Sequence, residues 1–104
     1  MSAAAALPTD VAYRRLAAWH GELTAFRRDL HAHPELGFEE RRTASRVVEA
    51  LRVAGVDEIH EGIGRTGVVG VVHGRSGPST RSVGVRADMD ALPIVEENDF
   101  AWRS

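Results

Sequence analysis

Val83-Gly84-Val85-Arg86-Ala87-Asp88-Met89-Asp90-Ala91-Leu92-Pro93 is the one stretch of the sequence where an apolar run ends abruptly in two carboxylates. Val83 and Val85 alternate as the residues of a buried strand do. If the extended backbone continues, Asp88 and Asp90 project from the same face, because side chains two apart in a strand point the same way. Like charges that close repel unless a cation, a metal or a set of donors is shared between them. Pro93 then removes a donor and ends the ladder. In open α/β sheets ligands collect just beyond the carboxyl ends of strands, which is where these acids would stand. The plainer alternative is a turn-forming Asp whose oxygen bonds a backbone N–H two residues on.

Upstream, Val56 to Glu61 reads as a short strand with Ile59 inward, and Val68-Val69-Gly70-Val71-Val72 as a clear one, β-branched almost throughout. Between them Gly62-Ile63-Gly64-Arg65-Thr66-Gly67 matches G-x-G-x-x-G, with Asp88 and Asp90 some distance on. A dinucleotide fingerprint must open a helix whose N-terminus faces the pyrophosphate. This one runs into a strand, so its glycines are expected to make a turn between antiparallel strands. Gly74 to Thr80 is a breaker-rich turn, and Arg81 to Ala87 is the expected third strand that delivers the two acids.

Earlier still, the pattern is helical. Leu16, Trp19, Leu23, Phe26 and Leu30 recur at three- and four-residue steps, predicting one amphipathic helix from Thr9 or Asp10 to about His31–His33, stopped by Pro34. His31 and His33 lie about 200° apart on such a helix, so they do not converge on a metal; near a helix C-terminus they suit the negative end of the dipole. Gly37-Phe38-Glu39-Glu40 is expected to open a second helix with both acids in its first turn. Ala44, Val47, Val48, Leu51 and Ala54 form its apolar face, and Gly55 follows its last turn. The short connection predicts that the helices pack as neighbours, with Phe38 at the junction. Glu96-Glu97 reads as a solvated loop edge.

Composition narrows the classes. The 104 residues carry a formal charge of −2 with all 13 basic residues Arg, spread among acids, which predicts neither nucleic-acid nor membrane-surface binding. No cysteine is present, so disulfides and thiolate metal sites are excluded within these residues. Residues 1 to 8 read as a flexible tail, with neither a basic n-region nor a long enough apolar run for a signal peptide. No segment approaches the roughly 20 apolar residues that span a bilayer. A cytoplasmic location is the expectation. Residues 9 to 104 make an α/β layer, two helices followed by about three strands, with one sheet face left uncovered.

Three segments together carry a resemblance: Arg27-Arg28-Asp29-Leu30-His31-Ala32-His33-Pro34-Glu35-Leu36-Gly37-Phe38-Glu39-Glu40, Gly62 to Gly70, and Arg86-Ala87-Asp88-Met89-Asp90-Ala91-Leu92-Pro93-Ile94. In order and separation they resemble the metal-dependent amidohydrolases that include hippurate hydrolase, N-acyl-amino-acid amidohydrolase and the plant indoleacetyl-amino-acid hydrolases, within the carboxypeptidase G and acetylornithine deacetylase superfamily. The resemblance runs from about Trp19 to Ser104. It implies the N-terminal portion of a three-layer αβα, zinc-peptidase-like catalytic domain, with the rest of that domain and a lid domain absent. It implies an enzyme that hydrolyses N-acyl amino acids, small-molecule substrates, with water activated by two divalent ions, manganese or zinc, and a homo-oligomeric whole.

Carried over residue by residue, the family's His-x-Asp falls on Asp88 and Asp90. Asp90 then resembles the catalytic-site carboxylate that orients a metal ligand, and Asp88 stands at a metal-ligand position. The other ligands are expected in a Cys-Gly-His-Asp motif soon after Trp102, a later Glu-Glu pair and two further histidines, none of them in these residues. His31 and His33 match a scaffold segment. The 104 residues alone are therefore expected to be inactive and to bind no metal pair. The rival expectation is a small, complete interaction module with no catalytic role.

Overall fold

The computed structural model describes residues 8–104. Along them run α1 (Pro8–Ala18), α2 (His20–Ala32), α3 (Arg41–Ala54), β1 (Glu58–Ile63) and β2 (Gly67–Val71). The α/β class read from the sequence holds, but the elements are three helices and a two-stranded antiparallel sheet. The tail expected at the start lies outside the described residues except for Pro8, which opens α1.

The single helix expected across Leu16 to Leu30 is broken at Trp19. Its backbone sits at φ −93°, ψ 5°, and its N–H is shared between the carbonyls of Arg15 and Leu16, both at 3.1 Å. That is a turn tightened toward 3₁₀ geometry, two residues ahead of Gly21, a poor helix former. No packing irons it out: Leu16, Trp19 and Leu23 each remain about half exposed, and α2 buries no residue. At the far end α2 stops as expected, with His33 N–H donating to the Leu30 carbonyl just before Pro34.

The start of α3 differs from the expected one for an electrostatic reason. Glu39 and Glu40 precede the helix, and no acid lies in its first turn. The free N–H groups are taken instead by Glu35, which accepts from Arg42 N at 3.1 Å, Thr43 N at 2.5 Å and the Thr43 hydroxyl at 2.7 Å. Seven and eight residues upstream, this carboxylate does from outside what a capping side chain does locally. Asp29 of α2 completes the join, its two oxygens 2.8 Å from Arg42 Nη2 and 3.1 Å from Arg46 Nε. The helices thus meet through a charged clamp. Phe38, expected to anchor the junction, is 65% exposed.

At its other end α3 closes as the sequence predicts. Gly55 takes φ +78°, its N–H reaches the Arg52 carbonyl, and Val56 N–H reaches that of Leu51 at 3.3 Å, the paired bonds of a Schellman motif. Those bonds use Val56, so β1 starts at Glu58, later than expected. Ile59 pairs with Gly70, and Leu51 of α3 lies directly over Gly70. Of the expected apolar face Val48 is the buried hydrophobic among the described residues, at 4% exposure.

The third strand does not form. Residues 81 to 87 carry no regular structure, and Val83 and Val85 are 92% and 93% exposed. An isolated strand gains nothing without a neighbour, and among the described residues no backbone hydrogen bond joins this segment to β2. The shape reflects the small core: the radius of gyration is 17.3 Å, where a compact chain of this length has about 13 Å.

The clamp makes stability pH-dependent. Burial pushes the Glu35 carboxyl up, but the Thr43 hydroxyl and the N–H groups of Thr43 and Arg42 outweigh it and hold it below its usual value. The hydrogen bond from Arg42 does the same for Asp29, against a smaller opposing effect of burial and with help from the Arg42 and Arg46 charges. Depressed carboxylates contribute stability above their unfolded values, about 3.9 for Asp and 4.3 for Glu, and lose it as pH falls through the lower folded ones. Helical circular dichroism should therefore be level above about pH 5 and fall below about pH 4. A flat acid limb would contradict the clamp.

Candidate functional site

Asp88 and Asp90 lie on a segment without regular structure and not, as expected, at the end of a strand. Both line a cleft of about 310 Å³ where three connecting segments meet: residues 86 to 90, the turn after β1 and the loop before α3. The turn is built by its glycines. Gly62 and Gly64 have φ of +72° and +58°, which a side chain resists, and Gly67 lies close against the Ile63 backbone. A register shift between His60 and Ile63 bends β1 into the turn. The G-x-G-x-x-G motif is thereby accounted for as a hairpin, as its place before a strand implies.

The 86–90 segment is held near Glu35 by one backbone bond, Ala91 N–H to the Glu35 carbonyl at 2.8 Å. Glu35 therefore serves twice, its side chain capping α3 and its main chain holding the acid-bearing segment. Asp88 Oδ1 takes a hydrogen bond from Arg86 Nη2 at 2.9 Å, and both side chains are well exposed. A cation shared by one of the two acids is thus supplied by the chain itself.

A third carboxylate lines the same cleft. Glu40 is 8% exposed, its Oε1 accepting from Glu39 N–H at 2.9 Å and its carbonyl from Ala44 N–H. The sequence reading placed it in a helical first turn and missed it. Its one signal was a pair of acids immediately before a helix. Phe38 also lines the cleft, and the Arg65 guanidinium carbon lies 5.3 Å from its ring centroid; both residues have positive φ (67° and 85°).

The histidines do not converge. His31 Nε2 lies 3.8 Å from Glu96 Oε2, and His33 Nδ1 lies 2.9 Å from the Asp29 carbonyl near the helix C-terminus. Glu96 is more engaged than a solvated loop edge, since it also accepts from Asn98 Nδ2. The segment after it folds back on α2, with the Arg28 guanidinium 3.6 Å over Trp102, which stacks on Phe100. Among the described residues no three His, Asp or Glu side chains gather in a way that could hold a metal ion. Asp88 and Asp90 therefore do not make up a two-metal centre by themselves, and Asp88 is already paired with Arg86.

No family model matches the sequence, and no solved structure matches the fold. Curated relatives do match. The chain is 45% identical over 84 residues to hippurate hydrolase of Campylobacter jejuni, a stretch covering 81% of this chain and 21% of that protein. It is 46% identical over 83 residues to N-acyl-L-amino acid amidohydrolase of Geobacillus stearothermophilus, covering 80% and 22%. It is 47% identical over 79 residues to thermostable carboxypeptidase 1 of Saccharolobus solfataricus, covering 75% and 19%. The chain thus spans about a fifth of the length of the relatives it matches. On identity of this level across most of its residues, the chain belongs, for the fifth that it spans, to the family of the hippurate hydrolases and N-acyl-amino-acid amidohydrolases.

Proposed function

We propose that the whole enzyme to which these residues correspond hydrolyses the amide bond of N-acyl amino acids, releasing a carboxylic acid and a free amino acid. The observation that carries the reading is the meeting of Asp88 and Asp90 in one cleft, on the segment that also carries the sequence resemblance. The names of the relatives, hippurate hydrolase and N-acyl-L-amino acid amidohydrolase, point to the substrate class. Two divalent ions, manganese or zinc, would supply the charge that polarises the scissile carbonyl and acidifies the attacking water. The described residues contribute at most Asp88 and Asp90 toward them.

Within that enzyme Asp90 is the positioning carboxylate, fixing the orientation of a ligand, while Asp88 is a candidate ligand once released from Arg86. Glu40, buried at the same cleft, adds negative charge that favours cations there. The 104 residues alone are proposed to be inactive, because too few ligand side chains gather. The extended shape and the small core weigh against a self-standing interaction module.

The test is a chimera in which these residues replace the matched stretch of the C. jejuni hippurate hydrolase. It should release glycine from hippurate when supplied with manganese or zinc, and Asp90→Asn should lower the rate about 10–100-fold. The isolated chain should release none. A folded, metal-loaded chimera inert toward a panel of N-acyl amino acids would overturn the reading, and hydrolysis by the isolated chain would overturn its inactivity.

A further inference from the structure

Downstream of the acid pair the chain closes on itself. The Ser104 hydroxyl donates to the Ile94 carbonyl at 2.5 Å and Glu96 N–H to the Ser104 carbonyl at 3.2 Å, so residues 94 to 104 form a loop whose two ends lie side by side. Such loops are compact units packed by their own side chains, here by Phe100 stacked on Trp102 with ring centroids 4.7 Å apart. The path from this loop back to Asp90 is short and stiff. Pro93 fixes one backbone angle, and Ile94 N–H reaches the Leu92 carbonyl at 2.8 Å, a three-residue turn around that proline. Ala91 comes next, its N–H held by the Glu35 carbonyl.

One face of α2 holds the loop. Arg28 and His31 are three residues apart, which puts them on the same side of the helix. The Arg28 guanidinium carbon lies 3.6 Å over the Trp102 ring, and its Nε is buried with no hydrogen-bond partner. A buried donor left unpaired costs free energy, so the aromatic face and not a competing acceptor keeps the guanidinium there. His31 Nε2, 3.8 Å from Glu96 Oε2, makes the weaker contact. Upstream of Asp88, by contrast, no backbone bond ties the segment to a strand among the described residues. The acids are thus placed from downstream, by α2.

We propose that Arg28 is a positioning residue for the acid pair: through Trp102 it pins the loop of residues 94 to 104 to α2, and through the turn at Pro93 that loop keeps Ala91 on Glu35 and Asp90 in its cleft. His31 is a second, weaker tether on the same face. Arg28 does not line the cleft and acts only through the loop. The proposal rests on the reading of Asp88 and Asp90 as groups that hold or orient metal ligands.

Two measurements test it. In the 104-residue chain, Arg28→Ala should speed hydrogen exchange of the Ala91 amide about tenfold or more, with the α3 amides unchanged. Trp102→Ala should do the same, and the double variant should go little further, because the two residues act as a pair. Arg28→Lys keeps the charge and the helix but not the planar stacking surface; it should show a smaller effect in the same direction, and it serves where Arg28→Ala fails to fold. In the chimera, Arg28→Ala should weaken manganese binding, followed by the paramagnetic resonance of the free ion, about tenfold, the effect expected of groups that orient ligands. Unchanged exchange at Ala91 would overturn the proposal, as would unchanged manganese affinity. Exchange that speeds equally through α2 and α3 would also overturn it, by assigning Arg28 to bracing the helices. A chimera that takes up no manganese would sink the metal reading, and the Ala91 exchange would then decide this one. Manganese affinity that depends on Arg28 in an inert chimera would sink the catalytic reading alone, and an active chimera indifferent to Arg28 would sink this inference alone.

Discussion

Gly67→Ala should unpair the β1–β2 hairpin at a cost of about 3 kcal/mol, whereas Gly70→Ala in the same strand should cost less than about 1 kcal/mol. A Cβ on Gly67 would press into the Ile63 carbonyl oxygen and lie 3.3 Å from its carbon and 3.4 Å from its Cβ. Those are backbone atoms and the root of a side chain, on the facing strand of a tight turn, so the strands themselves must part. A Cβ on Gly70 would meet only the Leu51 methyls, at 3.2 and 3.3 Å, and that side chain can rotate aside. Cross-strand nuclear Overhauser contacts between Ile59 and Gly70, followed through a urea titration, read both variants. Intact contacts in Gly67→Ala would show that the turn tolerates a side chain and that the glycine has some other reason to be there. Because this turn forms one wall of the Asp88–Asp90 cleft, the same variant should also lower activity in the chimera.

Glu35→Ala should cost about 2–3 kcal/mol and fray the first turns of α3. The substitution removes an acceptor shared by three donors, and one of the residues it strands, Thr43, is 2% exposed. A buried hydroxyl and N–H without partners cost more than the loss of an exposed cap. With so little apolar burial elsewhere, this is a large fraction of what stability the fold can have. Glu35→Gln keeps an acceptor oxygen and should retain part of the helicity while losing the Glu35 share of the acid transition, with the Asp29 share left in place. Helicity by circular dichroism and exchange of the Arg42 and Thr43 amides measure both. Unchanged exchange at Thr43 in Glu35→Ala would sink the capping role.

The features legible in the sequence were those fixed by a few neighbouring residues. The end of α2 before Pro34 and the left-handed Gly55 after α3 follow from local backbone restrictions. The reading of Gly62 to Gly67 as a hairpin turn followed from what comes next, since β-branched Val68 and Val69 cannot open a helix that would hold a pyrophosphate. That Asp88 and Asp90 line one cleft is likewise local, since they are two residues apart on one short segment.

The features that escaped the sequence depend on partners far along the chain. No pattern at residues 39 to 42 announces that Glu35 will cap α3, because the capping group arrives from beyond an intervening loop. The stripe from Leu16 to Leu30 is a sound amphipathic pattern, but a stripe becomes one straight helix only when something covers it, and here the backbone yields at Trp19. Glu40 lines the site because α3 begins at Arg41, after both acids, and so leaves Glu40 in the loop that faces residues 86 to 90 across the cleft.

The sequence by itself determined the secondary-structure class, the hairpin and, through resemblance, the hydrolase family. Only the tertiary structure decided whether Val83 to Val85 would be a strand. Alternation gives a segment two faces, but hydrogen bonds to a neighbour make it a strand, and residues 81 to 85 lie across an open cleft from β2.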